Sequence, residues 1–172
     1  LCHDDAVTPG SKSCFSPDYA VYVYTQILKK LFPETPVIIG GLESSLRRIS
    51  HYDYWQNKIK PSILFDTNAD LLVYGMGEKP LKEIIRLIKK GVPIKNMNSI
   101  PQTAYLKPKE NVPKNKLWEN LQLSDFEECE KDKQIQFKNF RLFEIETNKM
   151  HSKRIIQNVQ DKSVVVNPPY PP

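Results

Sequence analysis

The 172-residue sequence has only three cysteines, Cys2, Cys14 and Cys129. Their odd number and irregular spacing exclude a disulfide-stapled secreted scaffold. No apolar run reaches the ~18 residues that a simple membrane span needs. No signal peptide is visible in the residues given, and the cytoplasm is the default compartment. Glycine is scarce as well, six in all, and none of the six forms a GxGxxG pattern, so a dinucleotide fingerprint is excluded. The chain carries a modest net charge of +5. Its lysines are scattered over Lys29-Lys30, Lys89-Lys90, Lys107 to Lys116 and Lys149 to Arg154. Basic residues spread in this way complement helix ends. They do not make the clustered, aromatic-studded patch that nucleic-acid binding requires. Neither a membrane nor a nucleic acid is an expected partner.

Two short apolar runs, Val37-Ile38-Ile39 and Leu71-Leu72-Val73-Tyr74, are present, and each runs straight into glycines and an acid. Continuous aliphatic runs of this length read as strands buried on both faces, the pattern of parallel strands in α/β folds. The carboxyl ends of such strands form the ligand crevice of an open sheet. Gly40, Gly41, Glu43, Gly75, Gly77 and Glu78 therefore form one candidate binding edge. Backbone amides there could approach a phosphate or similar group, assisted by the positive ends of the helices that follow. The competing reading is that the glycines only permit positive φ in tight strand-to-helix turns.

Around these strands the periodicity predicts helices over 17–32, 42–49 and 79–90, with Gly91 as a C-terminal stop. A further strand is expected over 100–107 and a charged, aromatic helix over 124–148, broken near Lys133. The spacing predicts another helix over 151–159, and 164–166 reads as a last short strand. Residues 50–65 read as an aromatic and polar connection, and no internal repeat is visible. The fold class expected is α/β, Rossmann-like with a mostly parallel sheet and flanking helices, in the manner of flavodoxin or cobalamin-binding domains. Val37 to Ile39 and Leu71 to Tyr74 should be neighbouring parallel strands.

Within the connection, His51, Tyr52, Asp53, Tyr54 and Trp55 put an imidazole, a carboxylate and three aromatics into five residues. An acid/base pair is conceivable chemistry here, but no nucleophile accompanies it. Local packing and an aromatic wall that docks a partner are the two other readings. Cys2-His3-Asp4-Asp5 offers metal-ligating atoms. Adjacent residues rarely converge on one ion, however, and the remaining His51 and His151 lack ligand spacing. No metal site is assigned.

GGLESSLRRISHYDYW, DTNADLLVYGMGE and the closing VVVNPPYPP, with weaker support from DDAVTPG and FEECEKDKQIQFKNFRLFEIETN, resemble the YgiQ family of radical S-adenosylmethionine (SAM) proteins. The resemblance covers most of the chain. It implies an N-terminal region similar to a cobalamin-binding Rossmann-like domain, placed ahead of a radical SAM core that holds a [4Fe-4S] cluster and SAM. The family's cluster motif, CxxxCxxC, is absent here, and so is the DxHxxG motif of a cobalt-ligating histidine. The resemblance thus implies a fragment: a Rossmann-like region at 1–106, a loop or linker at 107–116, a helical extension that returns a strand to the sheet at 117–166, and a Pro-rich lead at 167–172 into the core. The expected partner is that core, with His51 to Trp55 as the interface. The alternative is a stand-alone cobalamin- or nucleotide-binding module without catalysis.

Overall fold

Prolines and glycines mark the points where this chain changes element. In the computed structural model, which describes residues 18–170, α1 (Ala20–Leu31) stops just before Pro33, because the residue ahead of a proline is pushed out of the helical region. The chain then forms β1 (Ile38–Ile39), α2 (Gly41–Leu46), a hairpin of β2 (His51–Asp53) and β3 (Lys58–Lys60), α3 (Ile63–Thr67), β4 (Leu71–Val73) and α4 (Glu78–Lys89). The second half is β5 (Thr103–Pro108), β6 (Asn120–Gln122), α5 (Phe126–Lys131), α6 (Lys133–Thr147), β7 (Arg154–Val159) and β8 (Lys162–Val166). Asp125 closes a capping box with Glu128 at the start of α5, and Asp132 accepts from Gln134 N at the start of α6. The expected break near Lys133 is therefore a pair of caps.

Six strands form one sheet in the order β1-β4-β5-β8-β7-β6, and the hairpin stands apart from it. Side chains alternate across the sheet. Leu72, Ala104, Ile155, Val164 and Val166 pack with α3 and α6 on one face, while Leu71, Val73, Tyr105, Ile156 and Val165 pack with Ile84 of α4 on the other. The fold is a Rossmann-like α/β arrangement, and β1 and β4 are the parallel neighbours expected, with Ile38 opposite Leu71.

The sheet as a whole is mixed rather than mostly parallel. Of its five strand pairings, only β1–β4 and β6–β7 are parallel. Two connections explain this. Residues 90–102, interrupted by Pro93 and Pro101, carry the chain from the end of α4 back to the carboxyl end of β4, so that Thr103 pairs with Val73 and β5 runs antiparallel. Later, Gln160 adopts φ 53° in a two-residue turn between β7 and β8, a connection that only antiparallel strands can use. Consequently 151–159 is not a helix. Its apolar residues Ile155, Ile156 and Val159 fit helical spacing, but they lie in a strand buried on both faces. β-branched residues pack better there than in a helix.

Candidate functional site

Because β1 and β4 are parallel, their two glycine turns do lie on one edge. Gly41 has φ 82° and Gly75 φ 64°, left-handed conformations that glycine adopts without strain. The Ser45 hydroxyl joins the turns, donating to Gly41 O at 2.7 Å and accepting from Gly75 N at 3.2 Å. Gln102 holds the second turn from the other side, its Nε2 donating to Tyr74 O (2.9 Å) and Met76 O (2.8 Å). A side chain on Gly75 would meet that amide at 3.0 Å, whereas one on Gly41 would meet nothing within 4 Å. Gly77 and the exposed Glu78 open α4.

Glu43 does not join this edge. Its carboxylate accepts from Val21 N (3.1 Å) in the first turn of α1 and pairs with Arg47 at 2.9 Å. It thereby satisfies one of the orphan N–H groups of that helix.

A feature that sequence reading missed is the far end of the sheet's central strand. β8 runs antiparallel to β5, so Val166 lies opposite Ala104 and the chain leaves β8 at the glycine edge. Pro168 O accepts from Gln102 N at 2.8 Å, and Asn167 O accepts from the Tyr74 hydroxyl at 2.5 Å. The Asn167 amide donates to Ile100 O at 2.8 Å. Asn167 and Pro168 are thus fastened beside the glycines by contacts of long sequence separation, which no local pattern signals. The same rim carries Leu42, Met76, Leu117 and Met150, each at least 65 % exposed.

The stacking of Arg48 was also missed. Its guanidinium stacks between the rings of Tyr74 (4.6 Å) and Phe143 (4.5 Å), donates to Ser45 O, and leaves Nε buried without a partner among the described residues. Burial lowers its pKa. Arg48 ties the glycine edge to α6.

His51 and Asp53 share one face of β2 without bonding to each other. Asp53 is buried and accepts from the Tyr19 hydroxyl (2.8 Å), Trp55 N and Gln56 N. Burial alone would raise its carboxyl, but these donors and Lys60 outweigh that and hold it below the usual range. Burial pushes the His51 imidazole down to about 4. Its Nδ1 lies 3.3 Å from Ile49 O and Nε2 has no partner among the described residues, and burial favours the neutral ring. Asp53 is committed to shaping the hairpin turn, and the acid/base pair does not form. Tyr52, Tyr54 and Trp55 are more than half exposed, with the rings of Tyr54 and Trp55 4.6 Å apart.

Neither a metal nor a cluster fits the described residues. No group of three or more His, Cys, Asp or Glu converges among them, and Cys129 is fully buried against Asn139 Nδ2. Cys2, His3, Asp4, Asp5 and Cys14 lie outside the described residues. His51 lies in β2, and His151 lines a cleft with Leu117, Met150, Pro168 and Pro169 where the chain leaves β8. No helix among the described residues is long and apolar enough to cross a membrane.

With this geometry in view, the comparisons decide the family. The family model described as Radical SAM N-terminal matches residues 1–172. The chain belongs to the Radical SAM N-terminal family. It is similar to UPF0313 proteins of Porphyromonas gingivalis (51 % identity over the whole chain, 27 % of that protein) and Bacteroides thetaiotaomicron (49 %, the whole chain, 29 % of that protein). A UPF0313 protein of Geobacter sulfurreducens is 40 % identical over 99 % of the chain and 28 % of its own length. The chain thus spans under a third of the curated relatives it matches. No solved structure gives a significant match.

Proposed function

We propose that this Radical SAM N-terminal domain is the accessory part of a longer radical SAM protein of the cytoplasm. The [4Fe-4S] cluster and SAM are held by the remainder of that polypeptide, and the substrate is unassigned. The observation that carries the reading is the meeting of the tail and the glycine turns on one rim. Asn167 and Pro168 are bonded to Tyr74 and Gln102 there, so a polypeptide continuing from the tail starts at the carboxyl ends of β1 and β4. Leu42 and Met76 flank that point exposed, as surface that another domain would cover. The domain's role is then to close one side of the core's reaction chamber. Gly40, Gly41, Gly75, Gly77 and Glu78 face it, and Glu43 braces α1 from behind.

The test is anaerobic cluster reconstitution of two proteins, this 172-residue chain and the longer polypeptide that contains it. The longer protein is expected to give a [4Fe-4S] electron paramagnetic resonance signal and the chain alone none. A stoichiometric cluster on the chain alone, lost when Cys2, Cys14 and Cys129 are replaced, overturns the reading.

A further inference from the structure

An apolar groove of about 550 Å³ runs between α6, α2 and the β2–β3 hairpin. Phe137 and Phe140 stand one turn apart on α6 at 60 % and 48 % exposure, and Leu46 (73 %) and Tyr52 (51 %) form the facing wall. Large side chains are left this open when the surface that covers them lies elsewhere. The floor needs no ligand, since Ser50 and Gln136 there bond to each other and Ser50 also accepts from Gln157.

Two observations say what covers the groove. First, the relatives are several times longer than this chain, which makes up 27–29 % of them. Second, the groove lies next to the point where the chain leaves β8. Asn167 O binds the Tyr74 hydroxyl, Arg48 stacks on Tyr74 and on Phe143, and Phe143 lines the groove. Three contacts thus join the tail to the groove. Leu42 and Trp55, on α2 and at the hairpin turn, are exposed as well.

We propose that the groove seats an amphipathic helix from the part of the same polypeptide that continues beyond residue 172, with apolar anchors one turn apart between Phe137, Phe140 and Tyr52. This is the helix-in-groove mode of recognition. It rests on the reading of the chain as the N-terminal domain of a longer protein.

The experiment uses that longer polypeptide. Hydroxyl-radical footprinting read by mass spectrometry measures oxidation of Tyr52, Phe137 and Phe140 at two protein concentrations, and iron and sulfide content is recorded on the same sample. The expected result is oxidation several-fold slower than that of exposed tyrosine and phenylalanine in a reference peptide, independent of concentration. A Phe137→Asp/Phe140→Asp double variant, whose side chains start exposed and whose circular dichroism checks the fold, should restore Tyr52 oxidation. A benzoylphenylalanine at position 140 should cross-link to residues beyond 172 of the same molecule. Oxidation at the rate of the reference peptide overturns the proposal, as does protection lost on dilution, which would make the occupant a second copy. Protection that needs an added small molecule overturns it too. Cluster content reports on the functional reading alone, so a cluster-bearing protein with an open groove separates the two failures.

Discussion

Two regions of this domain treat their polar atoms in opposite ways. Beneath α6, Gln157 Oε1 accepts from Ser50 N, its Nε2 donates to Ser50 Oγ, Ser50 Oγ donates to Gln136, and Asn139 exchanges bonds with both backbone atoms of Ser124. Every member has a partner, and the network joins the hairpin, both helices and β7. At the glycine edge and the hairpin beside it, Ser44 Oγ, Arg48 Nε, His51 Nε2 and Asn167 Oδ1 are buried without partners among the described residues, and Leu42, Met76 and Trp55 face outward. The first region completes itself, and a fully satisfied buried network rigidifies a core. The second is incomplete within the described residues, which is how a surface looks when its complement lies outside them. Stability should therefore be concentrated in the first region and binding in the second.

The largest effect expected from that contrast is at Gln157. Replacing it with leucine strands the Ser50 amide and removes a donor from Ser50 Oγ in a fully buried site. Each buried group left unpaired costs roughly 1–3 kcal/mol, so Gln157→Leu should lower the unfolding free energy by about 3 kcal/mol in urea denaturation. A loss under about 1 kcal/mol would mean that the network is not what holds α6 to the sheet.

How far the sequence reaches follows the same division. β1, β4, α4 and their shared edge were legible because periodicity and glycine position are local signals, and the parallel pairing followed from them. The hairpin was not. Its strands are three residues each, and its turn is made by the Asp53 carboxylate and by Asn57 at φ 49°, neither of which has the Asn-Gly or Asp-Gly signature. β7 imitated a helix because Ile155, Ile156 and Val159 fit helical spacing, and a strand buried on both faces shows no alternation to contradict it. Arg48, Gln102 and Asn167 act across long sequence separations, so their part in the site could be seen only in the fold.

His51 gives the next effect and a pH signature. Its imidazole falls from 6.5 in the unfolded chain to about 4 in the fold. A depressed histidine contributes stability that is fully present above the unfolded value and is lost as pH falls from about 6.5 toward 4, by at most ~3 kcal/mol. Arg47, Asp53 and Lys60 also act on this ring. The Asp53 carboxyl, held low, titrates below that window. A His51→Asn variant should flatten the decline between pH 6.5 and 4 in thermal denaturation. An unchanged slope would show that the ring is not buried as neutral imidazole.

The two positive-φ glycines sharpen the edge itself. Gly75→Ala puts a Cβ into a left-handed conformation, costing ~1–2 kcal/mol, and against the Gln102 amide at 3.0 Å, displacing it from Tyr74 O and Met76 O. A loss of about 2 kcal/mol is expected. Gly41→Ala carries the conformational term alone, because its Cβ meets nothing within 4 Å, and should cost about 1 kcal/mol. Equal losses would mean that Gln102 does not clamp the second turn.

The smallest effect bears most directly on the comparison. Leu42 and Met76 are 82 % and 76 % exposed, so Leu42→Ser and Met76→Ser remove almost no buried apolar area from this chain. Surface substitutions of this kind stay within about 0.5 kcal/mol. In the longer polypeptide the same side chains are expected to be covered. Deleting a buried leucine or methionine side chain typically costs ~2–5 kcal/mol, a loss that should appear there as faster proteolytic release of the N-terminal domain. The informative quantity is the difference between the two proteins, since a general effect on folding would act in both. If the serine variants destabilise this chain as much as the longer one, the rim is packed within the domain itself. If they disturb neither, the rim faces water in both proteins and the core docks elsewhere.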